Sequence, residues 1–172
     1  MFVRATLIAT ALLVPSFAFA QAAKPTDPQI AHIAYTAGQI DIDAAKLALA
    51  KSHNPKVRAF AQEMARDHKA VNEKALALVK KLNVTPQDNP TSQSLVKAAD
   101  AEHKTLEGLS GAAFDKAYVD NEVAYHQTVN GALQDTLIPD AQNAELKALL
   151  QTGLKLFQSH QAHAEMLDGE LK

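Results

Sequence analysis

Apolar residues recur along the chain at alternating steps of three and four, with no stretch alternating at steps of two. This pattern predicts helices and no strands. Asp27-Pro28 supplies a cap followed by proline at a first helical position, and a helix follows to about Lys51. Asn54-Pro55 repeats the signal and starts a second helix that runs to about Leu82. The link from Ser52 to Asn54 is so short that the two should pack as antiparallel neighbours. A loop holding Pro86 and Pro90 precedes a shorter helix over about Ser92 to Glu107, which Gly108, Ser110 and Gly111 break. A third long helix runs from about Ala113 to Leu137 and ends at Pro139 and Asp140. Asn143 caps the last, from about Ala144 to Leu167.

Four long helices and one short helix make an all-α bundle. The connector between the second and third long helices holds about 30 residues, and its own helix covers roughly 24 Å. Such a connector crosses the bundle lengthwise and makes those two helices parallel. This is the connectivity of a ferritin-like four-helix bundle with a long helical crossover; an up-down-up-down bundle has short loops throughout.

The core stripes then fix which side chains face inward. The second helix gives Val57, Ala61, Met64, His68, Val71, Ala75, Leu78 and Leu82. The third long helix gives Val119, Glu122, His126, Val129 and Leu133, and the last gives Leu146, Leu150, Gly153, Phe157, His160, Ala164 and Leu167. The first gives Ile30, Ile33, Ala37, Ile40, Ala44 and Leu47, flanked by Gln39, Asp41 and Asp43. His68, Glu122, His126 and His160 therefore point into the bundle. Counting back from each hairpin sets all four near mid-length, within one or two helical turns of one another.

The beginning of the chain reads differently. Arg4 is followed by an apolar run to Val14, and Ala18-Phe19-Ala20 places small residues where a signal peptidase reads. Residues 1–20 are a secretory signal peptide, cut after Ala20; a polar leader over residues 21–26 precedes the bundle domain, residues 27–172. The run falls short of the ~20 apolar residues a membrane span needs, and no later segment could span. The expected location is the periplasm, or outside the cell. The chain has no cysteine, which excludes disulfides, thiolate metal sites, thiol catalysis and a lipid anchor on cysteine. The net charge of −2 gives no sign of a nucleic-acid partner. Protein partners leave no signature.

Two chemistries fit the inner cluster. Imidazole and carboxylate ligands on facing helices are how bundles hold metals, and without thiolates the set suits zinc, copper, iron or manganese. A structural cluster, in which Glu122 satisfies a neutral imidazole and fixes helix register, is the simpler reading, because buried polar groups need partners but need no metal. A pH-sensing or small-ligand role is a third option. Roughly two in seven helix positions face a bundle core, so about two of the seven histidines would fall there by chance, and three is hardly an excess. A dinuclear carboxylate site would need Glu-x-x-His on two helices. Here Ala65 stands three before His68 and Phe157 three before His160. Di-iron chemistry is therefore not expected, and any metal should bind weakly. Of the other histidines, His163 is one turn from His160, a ligand spacing, on a more solvent-facing side.

The stretches V-R-A-F-A-Q-E-M-A-R-D-H (Val57–His68), G-A-A-F-D-K-A-Y-V (Gly111–Val119) with E-V-A-Y-H after it, and N-A-E-L-K…H-Q-A-H-A (Asn143–Ala164) resemble the bacterial domain-of-unknown-function family numbered 4142. The resemblance covers nearly all of the chain after the signal. It implies a ferritin-like fold and export, and histidines at His68, His126 and His160. The family often has Glu where Gln39 stands here, which weakens a transfer of metal binding. Its members are often labelled outer-membrane proteins, a label this composition does not support. No nucleophile or complete catalytic set is evident. A binding or structural envelope protein is expected rather than an enzyme.

Overall fold

A computed structural model of the protein describes residues 24–171. The expected signal peptide and its cleavage point lie outside the described residues. Among these the only regular elements are helices: α1 (Asp27–Lys51), α2 (Pro55–Lys81), α3 (Pro90–Glu107), α4 (Gly111–Ala132), a π turn (Leu133–Leu137), α5 (Ile138–Asp140) and α6 (Ala144–Glu170). Local chemistry explains the starts. Asn54, Asn89 and Asn143 each accept hydrogen bonds from the first backbone N–H groups of α2, α3 and α6. The cap of α1 is Thr26, one residue earlier than the sequence suggests, and Asp27 sits in the first turn. There its carboxylate accepts from Gln142 N and Asn143 N, both at 2.8 Å, tying the start of α1 to the start of α6.

Residue pairings give the helix directions. Tyr125 of α4 donates its hydroxyl to Ala37 O of α1 at 2.9 Å, whereas Lys51, at the end of α1, lies over the ring of Phe114 near the start of α4. These two helices are antiparallel. Phe60 of α2 meets Tyr118 of α4 and His163 of α6, and eight residues on His68 meets His126 and His160. Numbering thus rises together in α2 and α4 and falls in α6. The crossover helix α3 runs along α1 in the same direction: Gln87 N donates to Pro28 O before it starts, and Lys51 Nζ donates to Glu107 O at its end.

Two hydrophobic clusters fill the bundle. One is built around Phe60, Met64, Phe114, Tyr118 and Leu167, the other around Ile30, Ile33, Leu133, Leu150 and Phe157. A layer of buried polar groups lies where they meet: Asp41, His68, Glu122, His126 and His160. Among the described residues, no helix is long and apolar enough to cross a membrane.

The third long helix is not uniform as its stripe suggests. After Ala132 it loosens into the π turn, where Ile138 N bonds back to Leu133 O. Pro139 explains the break, because it has no N–H to give to the preceding turn and its ring crowds that turn.

Candidate metal centre

Each of the four long helices contributes to the polar layer. The α1 stripe drifts relative to the sequence expectation. Beyond Ala37 the buried positions are Gly38, Asp41, Ile42, Ala45 and Ala48, while Ile40, Ala44 and Leu47 are only half-buried. Gly38 allows α1 and α2 to approach here, since a Cβ at this position would run into the side chain of Asn72. The drift turns Asp41 inward, 1% exposed.

His68, His126 and His160 are brought together. Their rings lie 5.3 to 5.7 Å apart, centroid to centroid. One ring nitrogen from each falls within 4.8 Å of the other two. Phe157 stacks on His68 at 4.5 Å and closes the layer toward the second cluster. Glu122 stands on the far side: its carboxylate is 3.5 Å from His126 Nδ1, and with Asp41 it forms a second convergent set that shares His126.

Asp41 is the carboxylate nearest the imidazoles, with Oδ2 3.0 Å from His68 Nε2 and 3.6 Å from His126 Nε2. Neither contact has hydrogen-bond geometry. His68 Nδ1 and Nε2, His126 Nε2, His160 Nδ1 and both Asp41 oxygens are buried polar atoms without a hydrogen-bond partner. The tautomer of His126 follows from its other nitrogen. Nδ1 lies 3.0 Å from Glu122 O, a carbonyl that can only accept, so Nδ1 carries the proton. The Nε2 lone pair is then left facing Asp41.

Electrostatics divide the roles. Burial opposes the charge of Asp41, but His68 and His126 outweigh it and hold the carboxyl down at about 2. Burial, then the charge of Asp41, pushes Glu122 well above the usual carboxylate range. One carboxyl of the pair thus stays ionised and the other keeps its proton. Burial, helped by His68, pushes His160 down to about 4 against the pull of Asp67, and burial lowers His126 against the pull of Asp41. At neutral pH His126 and His160 are neutral imidazoles, the form that binds metal, beside an ionised carboxylate.

A family model described as a domain of unknown function, DUF4142, matches residues 13–167. The chain belongs to the DUF4142 family. Two solved structures share its fold. One is a DUF305 protein from Streptomyces coelicolor, described as secreted, at 13% identity and a TM-score of 0.71, with 83% of this chain and 91% of that chain covered. The other is CopM in its Cu(II)-bound form, at 13% identity and a TM-score of 0.66, with 87% of this chain and 100% of that chain covered. At such identities the likeness concerns the fold. Among curated proteins none matches the chain significantly.

Sequence reasoning missed Asp41, placing it beside the stripe. Its signal was available: Ile30, Ile33, Ala37, Asp41, Ala45 and Ala48 keep the three-and-four spacing as well as the series with Ile40 does. It also passed over Glu63 and Asp67 on α2. Asp67 Oδ2 lies 3.2 Å from His160 Nε2, and Glu63 Oε2 lies 2.8 Å from His163 Nδ1.

Proposed function

We propose that this DUF4142 protein is exported, its signal peptide removed after Ala20, and holds a divalent transition-metal ion in the periplasm on His68, His126 and His160. One observation carries the reading: three buried imidazoles converge to within 4.8 Å, each with a ring nitrogen left without a hydrogen-bond partner. Buried polar atoms are rarely left so, and a cation satisfies all three at once. Imidazole-bound metals sit ~2.0–2.1 Å from nitrogen, so the rings need close by only about an ångström around an ion. Asp41 supplies the countercharge and orients His68 through its Nε2, and the Glu122 carbonyl orients His126 through its Nδ1, as acceptors behind the ligands do in histidine metal sites. Glu122, protonated against Asp41, acts through it rather than as a direct ligand. Copper(II) is the first candidate: the donor set is nitrogen-rich and thiolate-free, copper(II) heads the affinity order for such ligands, and a protein of this fold is known in a Cu(II)-bound form.

A second reading has its own observation. Asp41 lies 3.0 Å from His68, and His126 is anchored on the Glu122 carbonyl, so part of the cluster is matched by charge and hydrogen bonding without an ion. The layer would then serve to fix helix register.

Isothermal titration and electron paramagnetic resonance of the metal-free mature protein with Cu(II) separate the two. The metal reading expects one ion per chain with nitrogen hyperfine structure, a raised Tm, and loss of both in His68→Ala/His126→Ala. Equal Tm values with and without Cu(II), in wild type as in the variant, leave the structural reading standing alone.

A further inference from the structure

The inner imidazoles are closed off: His68, His126 and His160 are at most 3% exposed. An ion bound there has to come in past something. On the side of the bundle where α2 and α6 meet, Glu63 and Asp67 lie one turn apart on α2, and His160 and His163 one turn apart on α6. One ligand atom each from Glu63, Asp67 and His160 falls within 4.8 Å of the others. His163 joins through its 2.8 Å contact to Glu63, and its ring is held edge-on against Phe60 at 5.1 Å. Glu63, Asp67 and His163 are 30%, 20% and 41% exposed at the side chain, so water reaches this set. His160 belongs to both sets. Its Nε2 faces Asp67, and its Nδ1 has no partner.

We propose that Glu63, Asp67, His160 and His163 form an outer site for a divalent transition-metal ion, and that His160 passes the ion inward to His68 and His126. The passage inward rests on the metal reading above; the outer site does not. Two carboxylates and two imidazoles match the same borderline metals as the inner set and capture them from water without full dehydration at the first contact. Arg66 pairs with Asp67, with Nε 2.8 Å from Oδ1, and an arriving ion takes over this carboxylate from the guanidinium. The inner set then offers imidazoles in place of oxygens, which copper(II) and zinc prefer, so the gradient runs inward.

The experiment uses Zn(II) delivered from a chromophoric chelator, with the transfer rate followed by stopped flow and the bound metal counted after dialysis. Glu63→Gln/His163→Gln should slow loading by about tenfold or more while leaving the final inner stoichiometry unchanged. An unchanged loading rate overturns the passage. His68→Ala/His126→Ala, or the glutamine pair if the alanines unfold the bundle, should keep one weakly held ion that disappears on adding Glu63→Gln/His163→Gln. Absence of that weak ion in the folded variant overturns the outer site. If wild type holds a single ion that the outer variant abolishes and the inner variant retains, the outer site stands and the inner metal reading fails.

Discussion

Phe60, Phe114 and Tyr118 fill one end of the bundle; at the other, Ile33, Leu133, Leu150 and Phe157 line a cavity of about 700 Å³. At the first end Ala45, Ala48, Ala61 and Ala164, all unexposed, bring the helix backbones close, and large rings occupy the space between. At the second end mid-sized aliphatic side chains do not fill the gap, and α4 loosens into its π turn along the cavity wall. Protein interiors normally pack to crystal density, so the second end forgoes dispersion contacts that the first makes. The polar layer lies between the two, with Phe157 both stacking on His68 and lining the cavity. The comparison locates the stability of the bundle on one side of the histidines and leaves the other side room to yield.

The largest test of that asymmetry is a pair of truncations. Phe60→Ala should cost about 4 kcal/mol, toward the upper part of the range for buried aromatic rings, because alanine-spaced backbones cannot collapse into the hole. Leu150→Ala should cost only about 2 kcal/mol, since it enlarges a cavity that already exists. Urea unfolding of both gives the answer, and equal losses would erase the distinction between the ends. Asp41→Ala tests the layer itself. It removes the carboxylate that His68 and His126 face and leaves their buried ring nitrogens more poorly matched, which should cost roughly 1–3 kcal/mol. A loss below about 1 kcal/mol would mean that Asp41 does not hold the layer together.

How much of this was legible in the sequence depends on what sets each feature. Helix starts are local: Asn54-Pro55 and Asn143 declare themselves. The crossover is legible from connector length alone. The inward phase of α4 and α6 is legible because Glu122, His126 and His160 stand among well-separated apolar residues. In α1 the apolar residues Ile40, Ile42, Ala44, Ala45, Leu47 and Leu49 surround the helix, so periodicity leaves two phases open, and the contact between Gly38 and Asn72 selects between them. A buried aspartate and an exposed one look alike until that choice is made. The π turn was hidden for a related reason. Pro139 announces a break, but whether the chain stops there or widens first depends on how Leu133 and Leu137 seat in the core. The cavity leaves no trace in the pattern, because its lining residues are ordinary core residues.

Acid should act on the layer through two opposed groups. His160 titrates at about 4 in the folded chain against 6.5 when free, so the folded chain holds fewer protons between these values. Stability is therefore lost as pH falls from 6.5 to 4, by roughly 3 kcal/mol. Glu122 is raised, so the folded chain keeps a proton that the unfolded chain releases above 4.5, and stability is lost as pH rises beyond that point. In wild type the two partly cancel. Glu122→Gln mimics the protonated acid and removes the second effect. Its gain over wild type should be near zero at pH 4 and grow steadily as pH rises to 8. Stability against pH for both proteins shows whether the curves diverge with rising pH; parallel curves would mean that Glu122 is not held protonated.

The smallest effect is the one that reads packing most directly. Ala75 lines the cavity and is half-buried, whereas Ala61 is unexposed within the dense end. Both stand on α2, so helix propensity changes equally when each becomes leucine. At Ala61 the added carbons meet packed neighbours, and Ala61→Leu should destabilise by about 1–3 kcal/mol through strain. At Ala75 the same carbons enter open apolar space beside Val71, Val79 and Leu146, and Ala75→Leu should stabilise by roughly 0.5–1 kcal/mol. Thermal unfolding of the two variants side by side reads the sign as well as the size. Opposite signs fit a filled end and an unfilled one. If Ala75→Leu is as damaging as Ala61→Leu, the second end is not open to an added side chain, and the asymmetry of the bundle has to be sought in its backbone alone.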